Sequence, residues 1–274
     1  MPMDPTIRLC RFQIPYDKLP KVGLVISETP LIVQDLTSCG IHDMGGLVSM
    51  TSLQTEELIG VLPGTPLPQY DNPRWKVTLL PPIGETQQVW GNGLSVVDVV
   101  GDGGEIGIRA DSTCNVPKPK LVIVFSSNGG IVGYTIGNNV LGDTERKSPV
   151  DVPIKHSFAA GPVLVVGPKE EEVKQWKVDL KIYRNKQEIF HGKSIVGDMH
   201  PTFQELRDCL FEHSSGFPNG VALLMGTDLD LVLGKRENPF TLEPGDLVEI
   251  SISGIGTLRN EVKVIRPRKD LESI

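Results

Sequence analysis

The sequence predicts a mixed-β (α+β) fold, strand-dominated and rolled or barrel-like, behind a small β-rich N-terminal domain. Three observations carry this reading. Short runs of β-branched and aliphatic residues recur along the 274 residues, 29 glycines and 22 prolines punctuate them, and only two segments carry the start signals of a helix. Residues 7–12, 22–26 and 31–36 read as strands, followed by breaks at Pro63, Pro66, Pro68, Pro81 and Pro82. Thr51 and Gln54 stand at capping-box spacing ahead of Leu53, Leu58 and Ile59, which predicts a short helix over 52–60. These pieces form the N-terminal domain, residues 1–82. In the second domain, residues 83–274, longer strands are joined by glycine turns. Residues 121–125, a Ser-Ser-Asn-Gly-Gly turn and residues 131–136 predict a hairpin. Trp176, Val178, Leu180 and Ile182 share one face of a half-exposed strand, with Lys177, Asp179 and Lys181 opposite. The second helix starts at Thr202, boxed by Glu205, presents Phe203, Leu206, Cys209 and Leu210 on one face, and ends at Gly216. Residues 221–225, 247–252 and 262–265 are strands again, and the charged run Lys169 to Lys174 reads as a solvated turn.

Composition removes several classes. With 39% apolar and 22% charged residues, the chain is neither disordered nor collagen-like. A formal charge of −7, from 27 basic and 34 acidic side chains, argues against a nucleic-acid partner held by bulk charge. Cys10, Cys39, Cys114 and Cys209 lie far apart with no CxxC or Cys/His spacing, so reduced thiols are expected rather than a disulfide framework or a zinc site. No run approaches the roughly 20 apolar residues of a membrane span, and the N-terminus lacks the pattern of a signal peptide. A cytoplasmic protein with no membrane partner is the expectation.

Most familiar catalytic patterns are missing. The stretch from Gly101 to Gly107 superficially resembles a dinucleotide-binding glycine loop but opens no helix, so it reads as an ordinary loop. The five histidines make no HExxH pair, and only His156 stands near other candidate residues. There is no GxSxG nucleophile elbow.

Two sets of residues carry more. Ile106-Gly-Ile-Arg-Ala-Asp-Ser-Thr-Cys-Asn-Val-Pro-Lys-Pro-Lys-Leu-Val-Ile-Val-Phe125, the turn after it, and Ile131-Val-Gly-Tyr-Thr-Ile-Gly-Asn-Asn139 form the first. Gly220-Val-Ala-Leu-Leu-Met-Gly-Thr227, Leu242-Glu-Pro-Gly-Asp-Leu-Val-Glu-Ile250 and Gly254-Ile-Gly-Thr-Leu-Arg-Asn260 form the second. In this order, over roughly residues 86 to 265, they resemble the fumarylacetoacetate hydrolase superfamily, nearest its 2-keto-3-deoxy-D-arabinonate dehydratase-like branch. The resemblance implies a β-sandwich roll around a central pocket, a homodimer, and a divalent metal that binds 2-oxo acids or β-diketones.

At the chemistry the chain departs from that pattern. The family holds its metal with a Glu-x-Glu pair and an Asp, and the matching positions here are Lys118, Lys120 and Asn139. Hard cations need anionic oxygen ligands, so no metal cofactor is expected. The region between Trp90 and Glu105 is short where the dehydratases carry a helical segment with an acid/base glutamate. Lys155, in the segment Pro153 to Pro162, matches the family's substrate lysine, and Thr227 its Gly-Thr motif. Because positions i and i+2 of a strand share a face, Lys118 and Lys120 project together and form an anion site, where an amine can act as base or form a Schiff base. The reading is a repurposed, metal-independent enzyme of lyase, decarboxylase or cyclase type, biosynthetic, acting on a small anionic oxo acid or β-dicarbonyl-like compound. In it Lys118 and Lys120 supply charge or an amine, Asn139 a hydrogen bond, Lys155 or His156 a proton, and Thr227, Arg109 and Ser112 substrate contacts. Two alternatives stay open. One is a non-catalytic binding or scaffold protein. The other is a metal-dependent dehydratase or hydrolase whose site is rebuilt from carboxylates such as Asp111 or Glu145.

Overall fold

The computed structural model describes residues 6–48, 66–72, 74–85, 87–91, 94–96, 98–112, 114–142, 156–198, 202–212, 216–226 and 240–265. Two sheets organise them. The larger runs from edge to edge through β4 (Gln69–Asp71), β3 (Leu31–Asp35), β2 (Asp17–Glu28), β1 (Ile7–Ile14), β11 (Phe158–Val166), β10 (Ile131–Gly142), β9 (Asn115–Phe125), β14 (Val221–Gly226), β6 (Gln88–Gly91) and β7 (Leu94–Val96), with β5 (Thr78–Leu80) paired to β1. The smaller is β13 (Gln187–Ile195), β12 (Lys177–Arg184), β15 (Leu247–Ile252), β16 (Gly256–Ile265) and β8 (Glu105–Arg109). The mixed, strand-dominated class expected from the sequence is what the chain forms. The segments on either side of residue 82 are continuous in one sheet, because β1 pairs antiparallel with β11, Leu9 opposite Leu164.

β9 and β10 form the long hairpin read from the turn residues. Ser126 and Asn128 explain its tightness: the Ser126 amide donates to the Gly130 carbonyl, and the Gly130 amide reaches both the Ser126 hydroxyl and the Asn128 side-chain oxygen at 3.1 Å. Alternation then gives β9 two different buried faces. Leu121, Ile123 and Phe125 join Val178, Leu180, Ile182, Ile250 and Ile252 in the core between the two sheets. Val122 and Val124 turn the other way, onto Leu9, Leu24, Leu36, Met44, Val48, Ile83 and Leu224. Of these, Met44 and Val48 belong to a one-turn helix α1 (Met44–Val48), and Val48 closes over Gly220 so tightly that a Cβ there would meet its Cγ1 at 2.5 Å.

Helical detail is partly corrected. The expected helix over 52–60 lies outside the described residues. The Lys169 to Lys174 run is not a turn but contains the short helix α2 (Glu170–Val173), because Val173 is buried and Glu170 and Lys174 pair at the i,i+4 distance. The Thr202 start is as read: α3 (Phe203–Glu212) opens with the Thr202 amide and hydroxyl on the Glu205 carboxylate, both 2.8 Å. Phe203 and Leu210 bury against the core, Phe203 stacking 6.0 Å from Tyr134. Cys209, expected on that buried face, is exposed, because the contact with the sheet is narrower than the apolar stripe.

The loop from Gly101 to Gly104 is a structural clasp. The Gly103 amide donates to the Arg259 carbonyl, Asp102 Oδ1 accepts the Arg259 amide at 2.7 Å, and the Asn260 amide group donates to the Gly101 and Gly104 carbonyls at 3.0 Å each. These bonds tie β16 to the strand start at Glu105, and burial pushes the Asp102 carboxyl up.

One core residue is poorly matched. Asn138 on β10 faces the intersheet core, opposite Pro119 and Ala159, at 1% exposure, and neither amide atom has a hydrogen-bond partner among the described residues. A buried amide in that state costs about 1–3 kcal/mol. Asn138→Leu, of similar volume, should therefore raise the free energy of urea unfolding by about 1 kcal/mol or more; a lower value would contradict this account of the core.

Candidate functional site

The apolar covering of the second face of β9 stops at Val122. The next two positions on that face are Lys120 and then Lys118, about 6.6 Å apart along an extended strand. Lys118 stands opposite Asn139 on β10, and Lys120 stands between Gly137 of β10 and Gly226 of β14. Cross-strand partners share a face, so Lys118, Lys120 and Asn139 converge at one end of the sheet as the spacing predicts. Lys120 is 5% exposed, whereas Lys118 and Asn139 are half-buried.

The packing around Lys120 is lopsided. On the β10 side the space is filled: a Cβ at Gly137 would meet Val122 Cγ2 at 2.8 Å, Phe158 Cε2 at 3.1 Å and Lys120 Cβ at 3.2 Å. On the β14 side a Cβ at Gly226 would lie 3.3 Å from Lys120 Nζ. Val122, Phe158 and the Lys120 Cβ thus crowd Gly137, and the Lys120 ammonium lies beside the Gly226 backbone. Sequence reasoning missed Gly137, Phe158 and Gly226, although the glycines were in the quoted stretches; their roles depend on cross-strand register, which one strand's text does not carry.

The remaining candidates scatter. Ser112 donates to the Cys114 carbonyl at 3.0 Å and packs against Gly142, three ladder positions beyond the Lys118–Asn139 pair. Arg109, at the end of β8, forks onto the exposed Asp111 with bonds of 2.7 and 2.6 Å, so both groups of the pair are committed to each other in part. His156 is exposed, with φ of 62°. Its carbonyl accepts the Gly107 amide at 2.8 Å. Lys155, Thr227 and Glu145 lie outside the described residues. Cys10 is buried on β1, and burial pushes its thiol up, so it is an inert core group.

A divalent metal does not fit Lys118, Lys120 and Asn139, the residues that the resemblance matches to the family's metal ligands. Two ammonium groups have no lone pair to give, and a single amide oxygen cannot replace three carboxylates around a hard dication. Among the described residues no cluster of three or more His, Cys, Asp or Glu side chains has metal-binding geometry. No described helix is long and apolar enough to cross a membrane.

Comparison with known proteins gives the following. Residues 128–263 match the model of the fumarylacetoacetate (FAA) hydrolase C-terminal domain. A 2-dehydro-3-deoxy-D-arabinonate dehydratase of Saccharolobus solfataricus is 34% identical over 169 residues, 60% of this chain and 55% of that protein. A probable 2-keto-3-deoxyxylonate dehydratase of Haloferax volcanii is 33% identical over 168 residues, 60% of this chain and 56% of that protein. The matched region thus spans little more than half the length of these relatives. A solved 2-keto-3-deoxy-D-arabinonate dehydratase complexed with magnesium and 2,5-dioxopentanoate superposes with a TM-score of 0.69 at 24% identity, over 95% of this chain and 100% of that one. At that identity the likeness establishes the roll-like fold.

Elemental analysis of the purified protein tests the donor argument. The expected result is no stoichiometric magnesium, manganese or zinc; one tightly held divalent ion per chain, lost together with activity on chelation, would contradict it.

Proposed function

From the premise that this chain belongs to the fumarylacetoacetate hydrolase superfamily, we propose that it is a metal-independent enzyme acting on a small anionic 2-oxo acid or β-dicarbonyl-like compound. Its reaction is of lyase, decarboxylase or cyclase type, in a biosynthetic setting. The observation that carries this is Lys120: a cation held at 5% exposure, on one strand face with Lys118 and beside Asn139, at the end of an apolar floor. A buried ammonium favours an anionic partner, because charge-assisted hydrogen bonds strengthen where water is excluded. The carboxylate of the substrate docks between the two lysines, and the Asn139 amide donates to the neighbouring carbonyl oxygen. Lys155 or His156 moves the proton, and Thr227, Arg109 or Ser112 adds a polar contact.

Two chemical routes fit such a floor. In the electrostatic route the ammoniums stabilise the enolate that forms when a proton or carbon dioxide leaves the carbon next to the carbonyl. In the covalent route the unprotonated amine of Lys118 or Lys120 adds to the carbonyl carbon and water leaves. The resulting iminium accepts the electron pair of the breaking bond, and hydrolysis returns the amine. Borohydride reduction with a turning-over substrate distinguishes them, since only the covalent route leaves a mass adduct on lysine.

Single substitutions test the reading as a whole. Lys120→Met and Lys118→Ala should leave thermal unfolding within a few degrees of wild type and weaken pyruvate binding by about 1.5–3 kcal/mol each, the usual worth of a charge-assisted contact. Wild-type affinity in both variants would leave the non-catalytic scaffold in its place. The chain is further proposed to act as a homodimer, which leaves fewer strand edges open to solvent; sedimentation at micromolar concentration should give twice the chain mass, and a monomer would contradict it.

A further inference from the structure

Gly226 is a glycine that the backbone does not require. Its φ lies outside the left-handed region, unlike Gly220 at 73° or Gly245 at 86°. Ordinary packing does not require it either. Among the described residues, its chain neighbours aside, the only heavy atom within 4 Å of where its Cβ would stand is Lys120 Nζ, at 3.3 Å. That is inside the 3.5–4.0 Å optimum for such a contact, roughly. Gly137, the glycine on the other side of the same lysine, differs, because the Val122, Phe158 and Lys120 stems occupy its Cβ position from three directions. One flanking glycine thus serves the packing of the lysine stem, and the other serves the ammonium alone.

We infer that Gly226 is a positioning residue that seats the Lys120 ammonium over β14 and so determines which anions the site accepts. The inference rests on the anion-site reading above. Val122 and Phe158 crowd Gly137 on the β10 side of the lysine, and on the β14 side the bare backbone at Gly226 lies beside the ammonium. A methyl group at 226 makes the ammonium yield by a few tenths of an ångström, and a branched side chain moves it off the strand. Either change keeps the charge and alters only its place. Hydrogen bonds weaken steeply with distance and angle, so a carboxylate fitted to the seated ammonium loses its contact.

The experiment compares wild type with Gly226→Ala and Gly226→Val by two readings. The first is the rate of reductive methylation at each lysine, followed by peptide mass. Lys120 should be among the slowest in wild type and several-fold faster in Gly226→Val, with Lys193 unchanged. The second is pyruvate affinity, which should fall modestly in Gly226→Ala and by about tenfold or more in Gly226→Val. Should Gly226→Val not fold, the single methyl of Gly226→Ala carries both readings. An unchanged methylation rate at Lys120, or wild-type pyruvate affinity in the valine variant, overturns the inference. If no variant and not even wild type binds pyruvate, the oxo-acid reading falls, and the methylation rate still decides whether Gly226 seats the lysine.

Discussion

A central strand with no solvent face constrains everything near it, and β9 is such a strand. It lies between β10 and β14 in the larger sheet, with the intersheet core on one side and the α1-covered core on the other. Period-two alternation then forces each of its side chains into one core or the other. Five apolar residues from Leu121 to Phe125 satisfy this without cost. Lys120 and Lys118 do not, and they fall where the apolar residues of that face of β9 stop, after Val122. The position of the candidate site is therefore a consequence of where the core runs out. A register slip of one residue would carry both lysines into the intersheet core, where two buried cations would cost several kcal/mol.

That constraint also explains the division of labour among neighbouring residues. Asn139 lies on the lysine face, while Asn138, one residue away, points into the intersheet core with no partner for its amide among the described residues. The two look equivalent in the chain, yet one is half-buried beside the lysines and the other is a defect in the packing. In the same way Gly137 and Gly226 flank one lysine but answer to different neighbours.

Much of this was legible in the sequence, for reasons that can be named. The Ser-Ser-Asn-Gly-Gly turn fixes the β9–β10 hairpin through local bonds of Ser126 and Asn128, and Thr202 with Glu205 writes its own helix start. The same face of Lys118 and Lys120 follows from a spacing of two, and the alternation of Val178, Leu180 and Ile182 is the burial pattern observed. What was not legible depends on partners distant in the chain. Continuity of β1 with β11 joins residues about 150 positions apart. Cys209 lies on a helix face whose burial is set by the sheet beneath it, and Lys169 to Lys174 folds because Val173 finds the core. The seat at Gly226 needs the register between β9 and β14, which no local pattern encodes.

The central claim is that a row of lysines, without a dication, holds the carboxylate of an oxo acid. Calorimetric titration of pyruvate into the wild-type protein tests it most directly, carried out with EDTA, with added magnesium, and at rising sodium chloride. The account predicts one site per chain, the same affinity with EDTA as with magnesium, and weaker binding as salt screens the charges. Binding that appears only when magnesium is supplied, or no binding under any of these conditions, would contradict it.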